Sequence, residues 1–320
     1  MTDQAKTTEQ AMEQDAGALS DAQKWAARLV CLMAALAMRY AGLLALWPRD
    51  PGLPPSLLTC RSPGLATVEM MALGAVVSAL VVAVIGRRLA GMGVMAVGAG
   101  LLAIGWSDAD WRLTVAYIQQ SSQSWTATNV RLTGETLGWA AVVLAALAAE
   151  YVTREWLGLE AGRQDASRIA VMYSRTSAFV RAIWQSHEQW LMLIAAGLAG
   201  VVLVEVLYTN HVAANLGQGY FVAGVAMMAG VLLGHQVFTV KVVWPAALAW
   251  LVPALAGHVW ALLGADRSAV WMQQGINPLA DMLPIQYAAG GTMGGIVGLW
   301  LSGKVIRWRN GQGTTDNVTT

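Results

Sequence analysis

Residues 190–208 read WLMLIAAGLAGVVLVEVLY, 19 positions with a single charged side chain, Glu205. At 1.5 Å of rise per residue, a helix of that length covers about 28 Å, close to the ~30 Å hydrocarbon core of a bilayer. Seven further runs of similar character lie along the chain, at 29–47, 65–85, 89–106, 135–152, 219–238, 242–263 and 284–303. The chain therefore reads as an all-α, polytopic transmembrane helical bundle of about eight spans.

Composition agrees. Of 320 residues, 56% are hydrophobic and 12% are charged. That charged share is half of the ~25% of a soluble domain. The net charge of +1 gives no basic or acidic excess, so nothing argues for nucleic acid as a partner. Trp is abundant, 15 against three Phe, and Trp favours the headgroup level, where its N–H stays hydrated. Cys31 falls in the first span and Cys60 in the loop after it, too far apart for a disulfide.

Loop charge gives the orientation. With the N-terminus inside, the inner segments hold 14 Lys and Arg, among them Arg87, Arg88, Arg154, Lys241 and Lys304. The outer ones hold five: Arg49, Arg61, Arg112, Arg131 and Arg267. This positive-inside bias predicts an N-in/C-in topology. Residues 1–27 form a polar acidic tail without the apolar core of a cleaved leader, and 310–320 a disordered C-terminal tail. The membrane domain spans 28–309. Ser20-Asp21-Ala22-Gln23 has the pattern of a capping box that starts the first helix in water. The outer stretch 107–134 is polar. In the inner stretch, Ile169, Met172, Tyr173, Thr176, Val180 and Ile183 share one helical face flanked by Arg168, Arg175 and Arg181. That pattern predicts a helix lying in the interface near 165–185.

Ionisable groups at membrane depth are the first functional candidates, because each is costly unless paired or hydrated. Arg39 lies about 12 Å inside the first span. Glu69 and Glu205 sit near the same side, so an intramembrane charge pair between Arg39 and one of them is expected, structural or for transport. Glu150, near the inner end of its span, reads as interfacial. His187 and His235 lie near one surface, His211 and His258 near the other, the arrangement of a b-type di-haem protein. His187 and His211 are 24 residues apart, about 36 Å along a helix, which is long for that purpose. Interfacial histidines are the simpler reading, and no cofactor is predicted.

The last run is rich in glycine. Gly290/Gly294 and Gly291/Gly295 are small residues four apart, suited to close helix contact within the chain or with a partner. Pro245 and Pro253 predict kinks in the seventh run. The chain has no GxxxxGK[ST], HExxH or GxSxG motif. Gly91-Met92-Gly93 resembles part of a dinucleotide fingerprint but lies inside an apolar run with no strand before it.

With no catalytic constellation in view, the first expectation is a non-catalytic structural or assembly subunit of a larger membrane complex. Its partners would be the lipid bilayer and other membrane subunits or a second copy. The alternatives are a small-solute or ion transporter or channel using Arg39, Glu69 and Glu205, and a haem-bearing redox subunit. Short loops and the absence of a leader suit a bacterial cytoplasmic membrane.

Overall fold

The computed structural model describes residues 21–48, 55–85, 90–106, 124–160, 186–208, 216–240, 242–263, 279 and 282–315. These residues form helices: α1 Asp21–Ala45, α2 Pro63–Ile85, α3 Met92–Gly105, α4 Trp125–Glu160, α5 His187–Leu207, α6 Leu216–Val237, α7 Trp244–Leu248, α8 Leu251–Leu263 and α9 Pro284–Gln286. A π-helical turn, Tyr287–Gly291, joins α9 to α10, Thr292–Thr315. Among the described residues there is no strand, only an isolated bridge between Pro48 and Cys60.

Each of the eight apolar runs falls on a helix. Six have the length and apolarity to cross a membrane: α1, α2, α4, α5, α6 and the composite α7–α8. Trp25 near the start of α1 and Trp47 just past its end are exposed. Their spacing of about 33 Å along the helix matches two headgroup belts. Val68, Val76, Leu80 and Val84 of α2 and Leu198, Val202 and Val206 of α5 are exposed and apolar. That is the surface a helix needs toward lipid tails.

The third run differs from its expectation. α3 has 14 residues, about 21 Å, shorter than the ~30 Å of a hydrocarbon core. Most of its side chains are buried by other helices rather than turned outward. Its start is fixed by Gly91, whose φ of +88° only glycine adopts without strain. The fourth helix is longer than its apolar run at both ends. Ser124 caps it, its Oγ accepting the Ala127 N–H at 3.1 Å. Residues 125–134, part of the polar outer stretch, are helical and continuous with the span. α1 begins at Asp21, and α10 runs on to Thr315, so each enters a stretch read above as a tail. The interfacial helix near 165–185 and the loops carrying Arg49, Arg87, Arg88, Arg112 and Arg267 lie outside the described residues, as do 1–20 and 316–320.

The seventh run is broken at Ala249–Trp250. In a regular helix the Ala249 carbonyl would accept the N–H of residue 253. Pro253 has none. The Val252 N–H closes on that carbonyl instead, at 3.2 Å, a tighter i→i+3 turn. Pro245 sits in the first turn of α7, where its missing donor costs nothing. So Pro253 makes the break and Pro245 does not.

The last helix, α9 through α10, is the buried centre. Residues 282–292 are all buried among those described, and Gly294, Gly295, Ile296 and Gly298 continue the run. Its glycines form two stripes. A Cβ on Gly290, Gly294 or Gly298 would collide with the carbonyl oxygens of Tyr220, Gly224 and Met228 on α6. One on Gly291 or Gly295 would collide with Trp250 Cβ or the Ala246 carbonyl. The expected small-residue contacts at Gly290, Gly291, Gly294 and Gly295 are therefore made, and made inside the chain.

Backbone carbonyls do not move aside as side chains do. Gly294→Val is expected to destabilise the bundle by about 3 kcal/mol or more, seen as loss of a monodisperse peak in detergent. Gly303→Ala, with nothing within 4 Å of the added Cβ, should leave the peak and the melting temperature unchanged. A tolerated Gly294→Val would show that α6 and α10 are not in backbone contact.

Candidate functional site

α4 carries two buried carboxylates, Glu135 and Glu150, exposed by only 3% and 5%. They are 15 residues apart, about 22 Å along the helix. Each serves backbone N–H groups of another segment.

Glu150, read above as interfacial, is buried by protein. Its Oε1 accepts the Gly91 N–H at 2.6 Å and its Oε2 the Val94 N–H at 3.1 Å. Those are the orphan donors at the start of α3, so a side chain from α4 acts as the N-cap that α3 lacks. The carboxylate also favours the positive end of the α3 dipole. Arg154, one turn on, pairs with Oε1 at 3.0 Å. Ser78 of α2 donates to the Ala146 carbonyl at 2.9 Å nearby. Both oxygens of Glu150 are occupied.

Glu135 is arranged differently. All its bonds go to one oxygen. Oε1 accepts from Ser56 Oγ at 2.7 Å, the Leu57 N–H at 3.2 Å and Trp139 Nε1 at 3.2 Å. These hold the turn 55–60 against α4, burying Ser56, Leu57, Thr59 and Cys60. Oε2 has no hydrogen-bond partner. Every partner of Glu135 among the described residues is neutral.

Among the other buried atoms without a hydrogen-bond partner are the Tyr220 hydroxyl of α6 and the indole N–H of Trp250. Tyr220 is 3% exposed, and its hydroxyl is close enough to Glu135 for the two to interact electrostatically. The hydroxyl fits there because residue 105 is glycine; a Cβ would occupy its place. Trp106 lies beside the Tyr220 ring, centroids 6.4 Å apart. The Tyr220 carbonyl faces Gly290, and Trp250 faces Gly291. Hence Glu135, Tyr220, the π-helical turn and the break in α7–α8 line one seam. Next to it, Thr136 Oγ1 and His258 Nε2 are 2.8 Å apart. Gln286 accepts the Leu283 N–H at 2.9 Å, closing the start of α9.

The expected charge pair is not formed. Arg39 is half-buried, Glu69 and Glu205 are exposed, and no ion pair joins them among the described residues. The Nε of Arg39 has no hydrogen-bond partner. The four histidines are not brought together either. His187 opens α5 and is exposed. His235 is buried, with Nδ1 at 2.8 Å from Ser302 Oγ and Nε2 at 2.9 Å from the Val240 carbonyl, so neither ring nitrogen is left for iron. His258 is buried against Thr136. His211 lies outside the described residues. Among those residues no group of three or more His, Cys, Asp or Glu side chains is placed to hold a metal ion.

Glu135, Tyr220 and Trp250 were not picked out from the sequence. Glu135 is the first residue of the fourth apolar run, 135–152. The available signal was Glu135 and Trp139, four apart, in line with Leu132, Val142 and Ala146 on the buried face.

Six helices long and apolar enough to cross a membrane give the chain the architecture of a polytopic helical membrane protein. No protein-family model, no curated protein and no solved structure matches it.

Removing the Glu150 carboxylate leaves two buried N–H groups without an acceptor. Glu150→Ala is expected to cost about 1–3 kcal/mol, read as a lower melting temperature in detergent. Glu69→Gln, at an exposed and unpaired position, should stay within about 0.5 kcal/mol of the parent. The opposite ranking would mean that Glu69, not Glu150, holds helices together.

Proposed function

We propose that this protein is a small-solute or ion transporter or channel whose path runs along the seam of Glu135, Tyr220 and the broken α7–α8 helix. The observation that carries the reading is irregular backbone beside unpartnered polar atoms. Inside a bilayer, non-helical backbone is tolerated where protein or a water-filled cavity covers it, and broken helices recur in transporters for that reason. The Ala249–Trp250 break and the π-helical turn lie against each other through Gly291. π turns recur at functional sites. The site differs from the Arg39, Glu69 and Glu205 set expected from the sequence: Glu69 and Glu205 are exposed.

The assembly-subunit reading no longer draws on the glycine faces of the last helix, which are filled by α6 and α7 of the same chain. The redox reading loses His235 to its two hydrogen bonds. Within the proposal, α3 and the last helix join the six long helices to make eight passages, with both termini inside a bacterial cytoplasmic membrane. The positive-inside bias supports that orientation.

Two measurements test this. A membrane-impermeant maleimide should label Thr320→Cys only after cells are lysed; labelling of intact cells would put the C-terminus outside. For transport, vesicles holding the purified protein are given glycerol, acetate or methylammonium, and swelling is followed by light scattering. At least one solute should enter faster than in protein-free vesicles, and Trp250→Phe or Glu135→Gln should reduce that rate at least tenfold while Glu69→Gln does not. If all three solutes enter at the protein-free rate, the transport reading falls.

A further inference from the structure

Two opposite charges sit in the outer half of the bundle without a mate. Glu69 is exposed on α2, in the stripe of Leu65, Val68, Val76 and Leu80 that faces the lipid tails. Arg39 is half-buried on α1, beside the exposed Tyr40, and its Nε has no hydrogen-bond partner. No ion pair holds either side chain among the described residues. Charges at membrane depth are costly there and are as a rule paired.

The two lie at one level. Arg39 is six residues before Ala45, the end of α1, and Glu69 six after Pro63, the start of α2. Each is about 9 Å from its helix end. The bridge between Pro48 and Cys60 sets those two ends side by side. Met70, next to Glu69, is buried and reaches α1 at Gly42, one turn from Arg39. Met70 thus takes the side of α2 that meets α1, and Glu69 takes a side that does not. Within one chain the pair fails by direction and not by depth.

A second copy removes that obstacle. A two-fold axis along the membrane normal keeps every residue at its own depth, and the same patch then serves both copies. A charge on that patch meets only partners at its own level. Glu69 of a second copy is at the level of Arg39. Glu205, two residues from the end of α5 at Leu207, is about 3 Å deep and is not. α1 also has room for a neighbour. It is the least covered of the six long helices. Ala37 and Ala41, exposed and flanking Arg39 in sequence, let another helix come close. We propose that two copies of this chain associate through α1 and α2, with Arg39 of each paired to Glu69 of the other. The proposal does not rest on the transport reading, since each copy keeps its own seam.

Full-length chains with donor or acceptor dyes at the N-terminus are placed in phosphatidylcholine vesicles, and association is read by energy transfer as added lipid dilutes the protein. The parent should associate. Arg39→Glu alone and Glu69→Arg alone should each weaken association at least tenfold, because like charges then meet. A mixture of the two variants should regain it: one copy brings two carboxylates, the other two guanidiniums, and both pairs form again. Mixing would mend neither a pair within one chain nor a folding defect. If either variant fails to fold, Arg39→Gln and Glu69→Gln carry the test, each weakening association several-fold. A parent that stays monomeric, association unchanged by the charge variants, or a mixture that stays apart overturns the proposal. So does a lower melting temperature of detergent-dispersed Glu69→Gln, which would place the Glu69 contact inside its own chain. A monomeric parent stabilised by phosphatidylglycerol, with that gain lost in Arg39→Gln, would assign Arg39 to a lipid phosphate instead.

Discussion

The carbonyl groups of α6 and α7 stand directly against the last helix, and the rest of the bundle is arranged around that contact. In lipid there is no hydrophobic drive between apolar helices, so association rests on van der Waals fit and on the few polar bonds available. Two glycine stripes let the last helix approach α6 on one side and α7 on the other closely enough that no Cβ would fit. The helix is thereby enclosed, and α3, α5 and α8 find places around it. Ala196 backbone packs into Gly230 and Gly234 of α6, and Val252 into Gly197 of α5. α3 meets the same central helix where Gly98 faces Met293 and Ala289. A helix this short is held because its neighbours cover it.

Close packing of smooth apolar faces sets distance well and position along the axis poorly. Directional bonds supply the second. Glu150 fixes where α3 begins relative to α4, and Glu135 fixes the turn 55–60 against the same helix. Ser78 ties α2 to α4 between them, and His235 with Ser302 ties α6 to α10. Thr292 donates to the Ala247 carbonyl at 3.3 Å, next to the break in α7–α8. Each bond joins segments far apart in sequence. Each is buried, where an orphaned partner is costly. Together they act as register marks on helices that could otherwise slide.

Length and apolarity of the runs carried most of the fold, because the bilayer imposes both on any spanning helix. What they did not carry was anything decided by the far side of a contact. The stretch around Arg131 is too polar to read as membrane, yet α4 continues through it. The glycines of the last run announced a close contact, but a sequence shows one face of a contact and not its mate. Arg39 and Glu69 were placed at compatible depths from residue counts; the faces they occupy on α1 and α2 were not determined by those counts. Of the two prolines in the seventh run, the one that breaks the helix could be named only once the start of α7 was known. The π-helical turn at Tyr287–Gly291 left no signal beyond its paired glycines.

The contrast between the two carboxylates of α4 bears on where function lies. Both sit at the ends of the same buried face, and both hold backbone donors of another segment. If holding were the whole of their purpose, both would be saturated, since a buried acceptor without a donor is a net cost. Glu150 is saturated: two N–H groups and a guanidinium fill it. Glu135 does the same structural work with one oxygen and leaves the other bare. The bare atom is not isolated. The Tyr220 hydroxyl, in electrostatic range of Glu135, is bare as well, and that tyrosine's own backbone lies against the π-helical turn, which in turn lies against the broken helix. At Trp250 an unsatisfied atom and irregular backbone coincide, since that residue faces the π-helical turn and closes the break in α7–α8.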